Sequence, residues 1–340
     1  MYLPLISICI PTYNGQAFLS TCLDSAISQS YKNIEIIIVD DCSTDKTYDI
    51  AKDYAAKDSR IKVFKNEKNL GLVGNWNRCI ELSAGEWIKF LFQDDYFSSD
   101  CIEVMVNSIS ENDKIITSTR QLVLDKSLDE ATKNYSVNQT ITFERLGIVT
   151  NVPVFITPEK ISSFAVQNIC MNFIGEPTVI MFKKEVVKEF GNFNPDLIQI
   201  CDLEYFLRIA TKYGVKYIPK PITYFRVHKG STGASNISGK LFSMKYIDPI
   251  IMVNQLLFAN FFTHFREALS LFQKIKLKAF FKARVHESCR DSLFSIPENM
   301  KKLEDAVQKY PKIATYRKET IVTRTMLQMI KLKRKWKHIN

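Results

Sequence analysis

The chain has no apolar run approaching the roughly 20 residues needed to cross a bilayer as a helix, so an integral membrane protein is not expected. Its amino end, MYLPLISICIPTYNG, carries no basic leader and no small-residue cleavage site, and reads as a structural strand rather than a signal peptide. The eight cysteines (Cys9, Cys22, Cys42, Cys79, Cys101, Cys170, Cys201, Cys289) include no C-x-x-C pair. Reduced core cysteines in a cytosolic protein are therefore expected, not disulfides or a zinc site. No G-x-G-x-x-G and no Walker-type loop occurs, which disfavours an ordinary Rossmann dehydrogenase or a P-loop NTPase. Aromatic–basic interleaving is missing from residues 1–235, which argues against nucleic acid as a partner there. Histidine is scarce, with four in 340 residues.

What is present is an ordinary globular composition, 46% hydrophobic and 24% charged, able to bury a substantial core. The length suits one large α/β domain with an appendage, or two domains. A formal net charge of +10 points to an acidic partner: a phosphate-bearing substrate, an anionic membrane or nucleic acid. Much of that charge lies in the C-terminal third.

Leu5 to Ile10 reads as a buried strand, broken by Pro11-Thr12-Tyr13-Asn14-Gly15. Phe18, Cys22, Leu23, Ala26 and Ile27 then recur at helical spacing. Ile34 to Val39 is a β-branched run typical of a central parallel strand, and it ends in Asp40-Asp41. A helix from about Asp45 to Ala56, a strand at Ile61–Phe64, a loop from Asn66 to Gly74 and a helix from Asn75 to Ser83 follow. The run from Trp87 to Phe92 predicts another buried strand, delivering Asp94 and Asp95 at its carboxyl end. Asp100 with Glu103 offers a cap for the next helix. Later segments suggest a strand within Lys114–Leu124, a polar loop over Asn134–Thr142, a strand at Thr178–Phe182, and short strands at Val215–Ile218 and Thr223–Val227. Asp202 falls in the first turn of a helix whose apolar residues are Leu203, Phe206, Leu207 and Ala210.

This alternation predicts a mostly parallel, Rossmann-like sheet flanked by helices. Such sheets bind ligands beyond the carboxyl ends of their strands, at the topological switch point. Asp94-Asp95 taken alone fits the start of a solvated loop. It also fits a hard cation, Mg²⁺ or Mn²⁺, which uses one or two carboxylates plus phosphate oxygens. Polar or acidic groups at three strand ends (Pro11 to Asn14, Asp40-Asp41, Asp94-Asp95) favour a binding crevice. For Asp202 the local alternative is a carboxylate stabilised by the helix dipole.

The segments SICIPTYNG, IEIIIVDDCSTD, KNLGLVGNWNRCI, GEWIKFLFQDDY, GEPTVIMF, CDLEYFLRIA and YFRVHKGST, in this order, resemble family 2 glycosyltransferases, inverting enzymes of the GT-A fold. The resemblance covers about residues 3–235 and rests on the ordered set. It implies a catalytic domain over 1–238, with a nucleotide-sugar half (1–111) and an acceptor half (112–238), followed by a helical region (239–340) with a basic tail. By the same resemblance Pro11 and Tyr13 line the nucleobase pocket, and Asp41 accepts from the base imide nitrogen. Asn77 lies in the segment that closes over the uridine. Asp94 and Asp95 form the metal–diphosphate motif, with Asp95 the direct ligand of Mn²⁺ or Mg²⁺ and Asp94 nearer the ribose; His228 ligates the metal or contacts the diphosphate. Asp202 is the implied general base, with Glu176 and Glu204 the next candidates. Two positions depart from the family pattern: Phe92 stands where many members have an acid, and Cys201 precedes the base where members often have Glu.

The expected partners are a nucleotide-sugar donor, UDP by default with dTDP and GDP open, and a lipid-linked or growing glycan acceptor. No nucleic-acid partner is expected, and the oligomeric state is left open. The competing classes are a sugar nucleotidyltransferase, disfavoured because PTYNGQAF lacks a Gly-rich basic loop, and a non-catalytic basic binding protein, which would not need carboxylates at three strand ends. At the end of the chain, Lys331, Lys333, Arg334, Lys335 and Lys337 flank Trp336. Residues 331–338 suit either plain solvation or a peripheral contact with an anionic membrane at the cytoplasmic face.

Overall fold

The structure, a computed structural model, describes residues 3–139, 142–230 and 241–317. Two compact units are present: Met1–Pro195 with Ile200–Ser235, and Asp196–Gln199 with Asn236–Asn340. The basic tail expected to meet a membrane, 331–338, lies outside the described residues.

In the first unit nine strands form a single sheet. They are β1 (Ile6–Thr12), β2 (Ile34–Asp40), β3 (Ile61–Lys65), β4 (Trp87–Phe90), β5 (Tyr96–Phe97), β6 (Ile115–Leu124), β7 (Val154–Ile156), β8 (Ile180–Lys183) and β9 (Val215–Val227). The spatial order is β3-β2-β1-β4-β8-β6-β9-β5, with β7 on β9. The helices are α1 (Leu19–Ile27), α2 (Thr47–Ala55), α3 (Gly71–Leu82), α4 (Cys101–Asn107), α5 (Glu130–Gln139), α6 (Pro158–Gln167), α7 (Val186–Phe190) and α8 (Cys201–Tyr213). Strands β3, β2, β1 and β4 run parallel. Beyond them the sheet is mixed: β8 is antiparallel to β4 and β6, β6 and β9 are parallel, and β5 and β7 run antiparallel to β9. Every residue of β1 and β2 is buried, as continuous apolar runs covered on both faces require. The chain builds outward from β1 to β3, then returns to place β4 on the other side of β1. That reversal opens a crevice beyond the carboxyl ends of β1 and β4.

Several local expectations change for tertiary reasons. Helix α3 begins at Gly71, not Asn75, because the Asp41 carboxylate from the end of β2 accepts the Leu70 (2.7 Å) and Gly71 (2.9 Å) amides at its start. A distant acid thus caps the helix, with the local Asn69 Oδ1 also accepting the Gly71 amide (2.9 Å). The strand predicted to reach Phe92 stops at Phe90, leaving the acids on a loop. The segment read as a polar loop is largely α5. The two short strands around Pro219 and Pro221 are one strand, β9, whose register against β6 shifts near Ser118 and Thr119. Prolines lack the ladder N–H, and such an irregularity is where a sheet tolerates them. Asp100 does not cap α4; its carboxylate accepts from Ser98 Oγ (2.7 Å) and Lys220 Nζ (2.6 Å).

The described part of the second unit is helical: a π-helical turn (Ser243–Ile247), then α9 (Asp248–Phe258), α10 (Thr263–Ala268), α11 (Leu271–Ser288) and α12 (Pro297–Lys309). Asp248 accepts the amides of Ile198 and Gln199, and Asp196 accepts from Lys309 and Tyr310, so the 196–199 segment is stitched into this unit. Among the described residues, no helix is long and apolar enough to cross a membrane.

Helix α8, which carries Asp202, ends on Gly214 at φ +73°. A Cβ there would lie 2.7 Å from the Ile156 carbonyl oxygen and collide with the Phe155 ring. Gly214→Ala is expected to lower stability by about 2–4 kcal/mol, from left-handed strain plus overpacking. A urea titration checks this, through a lower midpoint at unchanged slope.

Candidate active site

The loop after β4 carries the acids, and their surroundings separate them sharply. Asp95 is buried, and its carboxyl accepts from Thr178 Oγ1 (2.8 Å) and from the Arg226 backbone amide (2.9 Å). Burial, and then the charge of Asp94, push its pKa well above the usual carboxylate range. Beneath it lies Lys89, fully buried in β4, whose Nζ donates to the Thr178 carbonyl and sits 4.9 Å from the centre of the Phe97 ring. Burial draws the Lys89 pKa down to about 8. Asp95 therefore ties the end of β4 to β9 and to the Pro177–Val179 turn. The oxygens of Asp95, expected from the sequence to be the direct metal ligand, are enclosed and engaged by these protein donors.

Asp94 takes the open position. Its Oδ2 lies 3.0 Å from His228 Nε2, and both side chains are partly exposed. His228 Nδ1 accepts the Gly230 amide (3.2 Å), so in the neutral ring Nε2 holds the proton and donates to Asp94. The imidazole is steadied by the Phe18 ring at 4.6 Å. Arg226 Nε donates to the Asp94 carbonyl (2.9 Å), and its guanidinium lies over Phe18 and Tyr96.

Among the described residues, no three His, Cys, Asp or Glu side chains converge on a point. The Asp94–His228 separation of 3.0 Å nonetheless matches adjacent positions of an octahedron with bonds of about 2.1 Å. Two such donors fit Mg²⁺ or Mn²⁺ as a partial shell to be completed by phosphate oxygens and water. Ligation through Nε2 requires its proton to leave, which would also exchange the Gly230 contact.

Asp202 sits at the start of α8, where backbone amides have no intrahelical partner. Its carboxylate accepts from Leu203 N (2.7 Å) and Asn172 Nδ2 (2.9 Å). Burial raises its pKa to about 7, opposed by the Leu203 amide and reinforced by the charge of Glu176. Glu176 pairs with Arg120 at 2.5 Å, and its charge also acts on Asp95. The next base candidates are therefore engaged: Glu176 by Arg120, and Glu204 by Arg208 at 2.9 and 2.6 Å inside α8. Asn172, Arg120 and Arg226 were not identified from sequence, since nothing local marks them. Asn172 is held in turn by Gly175, whose φ of +120° shapes the turn and whose amide donates to Asn172 Oδ1 (3.0 Å).

On the nucleotide side, the Gln93 amide clasps the Tyr13 backbone through 2.9 and 3.0 Å bonds, joining the β1 and β4 ends across the switch point. The Tyr13 ring is exposed, whereas Pro11 is buried inside β1 opposite Val39. Asn14 and Cys42, on the facing loops, both have left-handed backbones at φ 48° and 64°. Asp41 is buried and accepts three bonds, from Asn66 Nδ2, Leu70 N and Gly71 N. Of roughly four carboxylate acceptor directions, one is left for a base. The Asn77 amide, in the segment expected to close over the uridine, both donates to and accepts from the Phe193 backbone, each at 3.0 Å. Phe92, at the place of the missing acid, stacks on Trp76 at 4.9 Å.

The family model "Glycosyl transferase family 2" matches residues 7–166. The Escherichia coli protein UDP-Glc:alpha-D-GlcNAc-diphosphoundecaprenol beta-1,3-glucosyltransferase WfaP is 33% identical over 233 residues, 68% of this chain and 80% of that protein. Among solved structures, S. aureus TarS 1-349 in complex with UDP-GlcNAc superposes with a TM-score of 0.59 at 18% identity, over 91% of this chain and 81% of that one. The mannosyltransferase PcManGT of Pyrobaculum calidifontis, in complex with GDP-Man and Mn2+, gives a TM-score of 0.51 at 16% identity, over 94% and 85% of the two chains. The two structures bear on the fold alone, which is GT-A. The nucleotidyltransferase and non-catalytic readings fall away, and the chain belongs to glycosyltransferase family 2.

Proposed function

We propose that this glycosyltransferase moves a sugar, with inversion, from a UDP-sugar to a hydroxyl of a lipid-linked or growing glycan. Asp202 is the general base. The observation that carries this reading is its carboxyl, buried, held in place by Leu203 and Asn172, and raised to a pKa of about 7. A base poised near neutral pH accepts a proton without being too weak to pull it. WfaP supports the donor and acceptor classes, since its name specifies UDP-Glc and a GlcNAc-diphosphoundecaprenol.

In the reaction the acceptor oxygen attacks the anomeric carbon as its proton passes to Asp202. The bond from that carbon to the diphosphate breaks, and its electron pair leaves with the nucleotide. Asp94 and His228 would hold Mn²⁺ or Mg²⁺, which supplies positive charge against the diphosphate. The exposed Tyr13 ring offers a face for the base, and Asp41 its remaining acceptor direction. Asn172 and Glu176 set the orientation and proton affinity of Asp202.

Asp202→Asn should keep donor binding and lower turnover by about 10²–10⁴-fold. In the parent, kcat/KM should fall as pH drops below about 7, one proton suppressing activity. Stability follows from the same displacement. Between about pH 4 and 7 the folded protein holds a proton that the unfolded chain has released, so the contribution of Asp202 falls as pH rises through that window. Above it the buried charge costs on the order of 3 kcal/mol, discounted for local relaxation. Thermal midpoints of parent and Asp202→Asn should therefore converge at low pH, with the variant gaining at pH 8. Turnover near the parent rate would move the base elsewhere.

The two adjacent acids should separate in calorimetric titrations of UDP-sugar with and without Mn²⁺. Asp94→Asn should remove the metal-dependent part of binding, by about 100-fold or more, beyond the 10–100-fold typical of an outer contact. Asp95→Asn should stay folded and keep most of it, because a neutral isostere still meets Thr178 and Arg226. Asp95→Ala should instead cost about 2–4 kcal/mol by stranding two donors. The reverse ranking of Asp94→Asn and Asp95→Asn would make Asp95 the ligand.

A further inference from the structure

Helix α11 has two apolar surfaces, and its own packing uses only one. Leu277, Phe281, Val285 and Ser288 are buried, one helical row facing the interior of the second unit. At the other end Leu271 (75% exposed), Phe272 (75%) and Ile275 (56%) stand in water within one and a half turns. Single exposed apolar residues are ordinary; three together, two of them three-quarters exposed, mark a contact surface. The start of the helix is held rigid, so they are not a fraying end. Ser270 Oγ accepts the Gln273 amide (3.3 Å), and Gln273 Oε1 accepts the Ser270 amide (2.9 Å), a complete capping box.

The charge around this patch selects its occupant. From Ala268 to His286 there is no aspartate or glutamate, while Lys274, Lys276, Lys278, Lys282 and Arg284 are all present. Among the described residues none of Lys274, Lys276 and Lys278 pairs with a carboxylate; Arg284 pairs with Glu287 at 2.9 Å. A second copy docking across a two-fold axis would set these lysines against themselves, and lysine is depleted from protein interfaces. An anionic lipid surface favours both features, since apolar side chains enter the acyl boundary and long lysines reach the headgroups. We propose that the first turns of α11 dock the protein on a bilayer containing anionic lipid, with Leu271, Phe272 and Ile275 inserted and Lys274, Lys276 and Lys278 at the headgroups. This does not depend on which acceptor the enzyme uses.

The test is sedimentation of the full chain with vesicles of phosphatidylcholine alone, and of phosphatidylglycerol and phosphatidylcholine at roughly one part to two. The parent should bind the anionic vesicles and release from them as salt is raised. Leu271→Asp with Phe272→Asp should weaken partitioning at least about tenfold, and Lys276→Glu with Lys278→Glu several-fold, neither changing turnover of the free donor. No binding by the parent, or equal binding by parent and both variants, overturns the proposal. So does charge reversal at Lys333, Arg334 and Lys335 abolishing sedimentation that the α11 variants retain, because the contact then belongs to the tail. A parent dimer that becomes monomeric in the Leu271→Asp, Phe272→Asp variant, without vesicle binding, would assign the patch to a second copy.

Discussion

One buried carboxyl group, that of Asp95, joins parts of the sheet that the chain order keeps far apart. It bonds Arg226 of β9 and Thr178 of the turn before β8, while Lys89 of β4 holds the carbonyl of the same Thr178. An acid and an amine enclosed together are costly unless their partners are all in place. Here they are, so the arrangement admits little slack. Asp94, one residue before, and His228, two residues after Arg226, inherit their 3.0 Å separation from this junction. The open acid can meet a ligand because its neighbour is closed.

The same enclosure governs Asp202. Glu176 precedes the Pro177–Val179 turn and adds negative charge to both Asp95 and Asp202. Glu176 itself pairs with Arg120 at 2.5 Å. Burial leaves Asp202 with a pKa of about 7. Its position at the start of α8 supplies the Leu203 amide, which keeps the carboxylate oriented.

On the opposite side of the crevice the polar groups serve structure first. Asp41 caps α3, Asn77 pins α3 to Phe193, and Gln93 bridges the β1 and β4 ends. The Tyr13 side chain beyond β1 is left exposed. Phe92 extends an aromatic cluster with Trp76 and Phe90, so the place of the family's usual acid is apolar here. Asp94 and His228 are the partly exposed polar pair beyond it.

Local pattern was enough for the strands β1, β2 and β4, the helices between them, the acids at their ends and the placing of Asp202 in the first turn of α8. Continuous apolar runs, helical periodicity and turn residues act over a few neighbours, and a sequence displays them directly. Which of Asp94 and Asp95 faces outward was not legible there. It depends on β9, whose Arg226 lies 131 positions beyond Asp95 along the chain, and on the turn at Thr178. Nor was the start of α3 legible, because Asp41 on another element accepts the Leu70 and Gly71 amides there, or the commitment of Asn77 to the Phe193 backbone 116 positions away. Adjacent identical side chains look alike in a sequence. Burial and hydrogen-bond partners make one an enclosed anchor and leave the other open, and both come only from the packing of distant segments.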